Sequence, residues 1–387
     1  MNNITKLCGI PVGYEACVFE KILKKNPCVL YIVRDEARLQ SLKDLFSLIL
    51  PTIPILSFPS WDTVPYDRVA MSPDIEGTRI DTLSHLAQGG LTKGIVLTTA
   101  AAIMQRVPER TFFKESSLTL KEGDTISFDV LKTFLSKNGY KNTSSVMETG
   151  EYAIRGGLVD LWPAGFTSPL RIDFFGDEVD SIRQFDAITQ RSGSKVEKLS
   201  LKPMREFALN EHSISLFRSR YRDMFGVGRE DTLYESVSHG RYTQGLEHFL
   251  PLFHDKMETL FDYVPDFTVV SDYGLAEAFN ARHEQVMDYY EARCEALKDG
   301  FGTSKYYPIA PDLFFLSPDE MTDKLATFNC ISFSPFVEPN MTDMKGRSSK
   351  DYVDIRVRSG EDVMGYVADD IRASSKHVVI TAATGGI

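Results

Sequence analysis

The stretch GIPVGYEA (Gly9–Ala16) stands just before a run of helical character, where a nucleotide-binding protein carries its phosphate loop. Such a loop reads G-x-x-x-x-G-K-[ST]: backbone N–H groups cradle the phosphates, the Lys reaches them and the hydroxyl ligates Mg²⁺. Counted from Gly9, the three diagnostic positions hold Tyr14, Glu15 and Ala16; counted back from Gly13, they hold Gly13, Tyr14 and Glu15. Neither register supplies the Lys or the hydroxyl, and both place Glu15 where triphosphate charge would sit. The outline of a phosphate loop is present without its chemistry, and an ordinary Gly/Pro turn before a helix explains the residues as well. No catalytic set is expected in this chain, and no cofactor.

Asp35-Glu36-Ala37-Arg38 follows the apolar run VLYIV and has the look of a Walker B acid pair. It comes too soon after the loop for that role, and acids in the first turn of a helix are favourable in their own right. His248 and His254, the nearest His pair, flank FLPLF without Cys or paired carboxylates, so no metal site is expected. The five Cys form no C-x-x-C pair and read as free thiols in a reducing compartment.

A different chemistry is offered by Gly150–Ser192. Period-2 alternation in LRIDFF places Arg171, Asp173 and Phe175 on one side of a strand and Ile172 and Phe174 on the other. Arg155 stands at a Gly156-Gly157 turn. Arginines beside an exposed aromatic are the composition of a protein-binding hot spot. The competing reading is a sheet surface whose arginines pair with Asp173, Asp177 and Glu178.

These residues need elements to hold them. CVLYIV (Cys28–Val33), PILSF (Pro54–Phe58) and GIVLTT (Gly94–Thr99) read as buried parallel strands alternating with helices, the pattern of a doubly wound α/β sheet. From about Ser117 the texture changes. SLTLKEGDTISFD is expected to turn between two short strands, a helix closes at Asn138-Gly139, and alternating strands follow. This is a small α+β insert. After it helix signals dominate, apart from a strand in VPDFTVVSDYG. The expected organisation is a first domain split into residues 1–115 and 206–336, an inserted domain at 116–205, a linker at 337–350 and the start of a truncated third α/β domain at 351–387.

The chain has 387 residues and a net charge of −11, yet Lys114 to Arg205 carries 13 Lys plus Arg against 13 Asp plus Glu. A neutral, Arg-bearing module in an acidic chain points to a protein-facing surface, with a local basic patch as the other reading. No run of apolar residues is long enough to span a membrane.

The run EYAIRGGLVDLWP…RIDFFGDEVDSIRQFD…QRS strongly resembles the second domain of the bacterial transcription-repair coupling factors. It is similar, more distantly, to the corresponding domain of the excision-repair protein UvrB. FPSWDTVPYDRVAMSPDIEGTRIDTL and GIVLTTAAAIMQRVP resemble the first domain of that family, and LFRSRYRDMFG and GLEHFLPLF the segment after the insert. The resemblance covers about the first 335 residues. It implies a helicase-like (RecA-like) first domain with a decayed phosphate loop, and a tract, WDTVPYD, where UvrB carries a long aromatic hairpin. It implies UvrA as partner, with Arg155, Arg171 and Phe175 as contacts and Arg183 and Arg191 as their neighbours. It implies a cytoplasmic protein whose ATP- and Mg-dependent motor, RNA polymerase contacts and duplex DNA contacts lie beyond this chain. The alternative is a UvrB-like, nucleotide-dependent helicase relative with residual ATP or damaged-DNA binding.

Overall fold

The computed structural model describes residues 4–226, 231–299, 306–348 and 362–375. In chain order its strands begin with β1 (Thr5–Cys8), β2 (Cys28–Val33), β3 (Ile55–Phe58), β4 (Gly94–Thr99) and β5 (Val107–Pro108). The middle stretch contributes β6 (Leu118–Lys121), β7 (Lys141–Asn142), β8 (Glu151–Arg155), β9 (Leu158–Leu161), β10 (Leu170–Phe175), β11 (Glu178–Phe185), β12 (Ser192–Lys195) and β13 (Lys198–Leu201). Then come β14 (Met257–Glu258), β15 (Thr268–Ser271), β16 (Cys330–Phe333) and β17 (Thr342–Asp343). One compact unit covers Met1–Lys345 and a second Gly346–Ile387.

A seven-stranded parallel sheet, in the order β17-β1-β16-β15-β2-β4-β3, organises the first unit. Its central strands are apolar at nearly every position because both faces are covered. Leu30, Ile32 and Val96 point into one core, against Ile80 and Leu83 of the helix Pro73–Ala87 and Phe279 of the helix Leu275–Asp299. Val29, Tyr31, Val33, Ile95 and Leu97 point into the other, against Phe19 of the helix Glu15–Leu23 and Leu42 and Phe46 of the helix Glu36–Ile49. The fold is thus mixed α/β, with helices on both faces of a parallel sheet.

Residues 118–201 build a second sheet, in the order β12-β11-β10-β9-β8-β7. Its pairs are antiparallel except β7–β8. Tyr152, Val159, Leu161, Leu170, Ile172, Val179 and Ile182 cover one face of this sheet and bury Leu131 and Leu135 of the helix Phe128–Lys137. That helix is capped by Ser127 and ends at Asn138, followed by Gly139 at φ 85°. The expected turn between two strands in SLTLKEGDTISFD does not close a hairpin. β6 pairs instead with β13 at the far end of the insert, because entering and leaving strands that lie side by side satisfy each other's backbone groups.

Residues 342–343, inside the stretch expected as a linker, form β17 beside β1, and the Met344 N–H donates to the Cys8 carbonyl at 2.9 Å. A two-residue edge strand has no alternation to display, and ladder hydrogen bonds need no particular side chain. In the second unit the helix Val363–Ala373 has no buried residue. Most of the expected third domain, including its strand HVVITAA, lies outside the described residues.

Candidate functional site

Gly9 and Gly13 take positive φ angles of 64° and 96°, and the helix Glu15–Leu23 follows with Tyr14 at its N-cap position and no side-chain cap. An uncapped helix start leaves N–H groups that attract an anion. The chain places a carboxylate of its own beside that start, on the loop N–H of Gly13. Oε2 of Glu15 accepts from the Gly13 N–H at 2.7 Å, Oε1 accepts from Nη2 of Arg38, and Nε of Arg38 also donates to Oδ2 of Asp272 at 3.2 Å. Glu15 is 1% exposed. Beside this cluster, burial pushes the Tyr31 hydroxyl well above its usual pKa, with the Asp272 charge adding to the effect. The cavity left at the loop, lined by Ile10, Glu15, Arg38 and Asp272 among others, is about 60 Å³. Pockets for drug-sized ligands run to about 300 Å³ or more.

The acid pair after β2 has local duties. Asp35 caps its helix by accepting from the Arg38 N–H at 2.8 Å. Glu36 accepts from Ser60 N–H at 2.7 Å and Thr99 Oγ1 at 3.0 Å. Among the described residues no group of three or more His, Cys, Asp or Glu is placed to hold a metal ion. His248 and His254 are buried, and burial pulls both pKa values down to about 4. In the WDTVPYD tract, Trp61 packs against His248 and Phe314, and Tyr66 is 2% exposed. These aromatics are committed to the interior.

The other site is the face of the six-stranded sheet opposite its main core, open except where Val146 and Trp162 pack with Ala153 and Phe185 in a small apolar cluster. Across it the register sets Ala153 opposite Asp160, Asp160 opposite Arg171, Arg171 opposite Arg183, and Arg183 opposite Lys195. One step along, Arg155 is opposite Leu158 and Leu158 opposite Asp173. Gly156, at φ 59°, makes the two-residue turn after Arg155. A Cβ on Gly157 would meet the Phe174 carbonyl at 3.0 Å, so the turn sits tight against β10. Phe175, at the next turn, is 84% exposed. A bulge on β11 opposite Asp173/Phe174 leaves the alternation of β10 intact. Arg155, Arg171, Phe175 and Arg183 therefore share one face by strand parity.

Arg171 differs from its neighbours. Its Nε and Nη2 donate to both oxygens of Asp160, at 2.7 and 2.9 Å, and its Nη1 donates to the Gln190 carbonyl at 3.2 Å and to Ser192 Oγ at 3.3 Å. The guanidinium also lies 4.8 Å from the Phe185 ring centre. Its side chain is 15% exposed and that of Asp160 3%. The Asp160 hydrogen bonds hold the Arg171 pKa above its usual value. The pairing with Asp177 or Glu178 weighed from the sequence is replaced by Asp160, because β9 lies directly alongside. Asp173 accepts from Ser181 Oγ instead. Arg155 is exposed and donates through Nη2 to the Ser144 carbonyl. Arg183 and Arg191 are exposed. Asp160 escaped the sequence reading; counting outward from the Gly156-Gly157 turn pairs it with Ala153, but its contact with Arg171 needs the register of the next strand.

The insert is braced against the parallel-sheet body by charge. Where the chain leaves the insert, Arg79, fully buried within the body, holds Glu206 at 2.6 Å and donates to the Pro59 carbonyl at 2.9 Å. Arg205 pairs with Glu247 at 3.0 Å and with Glu76 at 3.6 Å, and Lys202 pairs with Asp81. Burial pushes the Glu76 carboxyl up to about 8.

Comparison with known proteins gives this face a context. The UvrB interaction domain family matches residues 118–207. The chain is 32% identical over 339 residues to the transcription-repair-coupling factor of Haemophilus influenzae, covering 86% of this chain and 28% of that protein. It is 35% identical over 274 residues to that of Escherichia coli, covering 70% and 23%, and 27% identical over 275 residues to that of Bacillus subtilis, covering 67% and 23%. The chain spans about a quarter of the length of these relatives. It belongs to the transcription-repair-coupling factor family, of which it represents the N-terminal, UvrB-homologous region.

Proposed function

We propose that this chain is the module with which a transcription-repair-coupling factor docks UvrA and so brings nucleotide excision repair to stalled RNA polymerase. The observation that carries the reading is the match of residues 118–207 to the UvrB interaction domain, joined to the open face that the same residues build. On this reading Phe175 and Arg155 are direct anchors, Arg183 and Arg191 flank them, and Arg171 both touches the partner and holds the face in shape. Arginine's planar fork suits partner carboxylates, and Phe175 offers apolar area between them.

The domain plan follows: residues 1–115 and 206–336 as one helicase-like, doubly wound domain, with 116–205 as the docking insert. The helices on both faces of the parallel sheet support that assignment. In this module the helicase-like domain is a scaffold that handles no ATP or Mg²⁺. Glu15 supports this, since its carboxylate already occupies the Gly13 N–H and the Arg38 guanidinium. A nucleotide-dependent helicase relative, the alternative reading, would need that carboxylate to leave. The ATP-driven translocase acting on DNA belongs to the longer protein, as do the contacts with RNA polymerase and duplex DNA. A cytoplasmic location fits this work, and among the described residues no helix is long and apolar enough to cross a membrane.

The test is a titration of purified UvrA against the immobilised chain. Saturable binding that Phe175→Ala weakens at least tenfold supports the reading; no binding of the native chain by folded, DNA-binding-competent UvrA overturns it.

A further inference from the structure

Phe175 and Ile188 are each 84% exposed, the highest values among the described large apolar side chains. They lie toward opposite ends of the same sheet. Phe175 ends β10, whereas Ile188 sits in the loop after β11, where the Phe185 N–H donates to the Pro169 carbonyl at the start of β10. The six residues of β10 put about 17 Å between those ends.

The loop that carries Ile188 is tightly held. The Asp186 N–H donates to the Arg191 carbonyl at 3.0 Å, and the Gln190 N–H donates to the Asp186 carbonyl at 2.7 Å. Oδ1 of Asp186 accepts from the Ile188 N–H at 3.1 Å, the Thr189 N–H at 2.6 Å and Thr189 Oγ1 at 2.9 Å. The Gln190 carbonyl accepts from Arg171 Nη1, which ties the loop to the middle of the open face. With its backbone held by so many bonds, the loop presents Ile188 from one fixed position before any partner arrives. Such preorganisation lowers the entropy cost of binding.

We infer that Ile188 is a second apolar anchor of the docking face, seated in an apolar depression of UvrA, and that Asp186 is its positioning residue. The inference rests on the docking reading above and extends it from the Phe175 end of the sheet to the other. The observations on the page that select this occupant are continuity with the Arg155–Arg171–Phe175 face, inclusion of the loop in the matched 118–207 region, and the flanking charge of Arg191 and Arg183. A span of about 17 Å fits inside a surface of about 800 Å² per partner. The two anchors bracket the Arg171–Asp160 pair, so that binding would exclude water from it.

The experiment measures UvrA binding to the whole chain by biolayer interferometry for the native protein, Phe175→Ala, Ile188→Ser, Ile188→Leu, Asp186→Ala, Asp186→Asn and the double variant Asp186→Ala/Ile188→Ser, with a melting curve for each. Burying one aliphatic side chain corresponds to about tenfold or more in Kd. Ile188→Ser is expected to weaken binding by that factor at an unchanged melting temperature, and Ile188→Leu to bind nearly as the native chain. Asp186→Ala is expected to weaken binding in the native background and to add nothing to Ile188→Ser, while Asp186→Asn, which keeps an acceptor for Thr189, restores it. If Phe175→Ala loses binding and Ile188→Ser keeps it, the inference is wrong and the docking reading stands. If native chain and active UvrA do not bind at all, the docking reading fails and this inference with it.

Discussion

Replacing Arg171 by alanine separates two roles that the sequence alone would merge. An exposed arginine that only reaches for a partner should affect binding and leave stability untouched. Arg171 is instead 15% exposed and gives two hydrogen bonds to a carboxylate that is 3% exposed. Its removal strands the Asp160 charge inside the sheet, frees the Gln190 carbonyl and uncovers the Phe185 ring. Removing one partner of a buried pair costs about 3–5 kcal/mol; with Arg171 partly reached by water, we expect about 3 kcal/mol, still far above the ~1 kcal/mol of an exposed ion pair. Urea unfolding followed by the fluorescence of Trp162, which belongs to the insert, in a Trp61→Phe background that removes the other Trp, measures the loss where it occurs. Phe175→Ala, at an 84% exposed site, should change stability by less than about 0.5 kcal/mol. The double variant Arg171→Met/Asp160→Leu should recover much of the lost stability, since both charges are then gone. UvrA binding is measured at a temperature where every variant remains folded. Were Arg171→Ala as stable as the native chain, the Asp160 pairing would not be holding this sheet together, and the argument from burial would fail.

The remaining expectations concern the loop, pH and salt. Isothermal titration of the chain with Mg-ATP should give no heat of binding, and Glu15→Ala should give none either while lowering stability by about 1–3 kcal/mol, since the Gly13 N–H loses its acceptor and Arg38 keeps only Asp272; micromolar affinity in the native chain refutes the plugged-loop account. Glu76, raised from 4.5 to about 8 by burial, binds its proton more tightly folded than unfolded, so stability should fall as pH rises between those values, by at most about 1.4 kcal/mol per pH unit; a Glu76→Gln chain should lose that slope, and an unchanged slope would assign it elsewhere. His248 and His254, lowered from 6.5 to about 4 by burial, act in the opposite sense: the unfolded chain takes up their protons first, and stability should drop as pH falls from 6.5 toward 4. Duplex DNA should bind the chain weakly and release it steeply as salt rises, as expected at a net charge of −11; fluorescence anisotropy showing tight binding at physiological salt would reveal a basic groove that the acidic composition conceals.

Much of the molecule was legible from local pattern. The apolar runs at β2 and β4 announced strands covered on both faces, since only that environment tolerates so few polar positions. The alternation in LRIDFF assigned Arg171 and Phe175 to one face because strand parity is a property of the backbone alone. Tyr14, Glu15 and Ala16 at the loop's diagnostic positions set the expectation that the Mg-ATP titration tests. What the tertiary structure decided were the partnerships between segments distant in sequence. The sequence could place Glu15 at the loop, but not show Arg38, from the first turn of the helix Glu36–Ile49, bridging it to Asp272 just after β15. It could expose Arg171, but not seat it on Asp160, which depends on the β9–β10 register. It missed β17, whose two residues carry no periodicity, and the pairing of β6 with β13. The physical reason is common to all of these. Period and composition report the environment each residue requires, burial or water, one face or the other; which distant group supplies that environment is settled only when the strands come into register and each buried charge must find its counterpart.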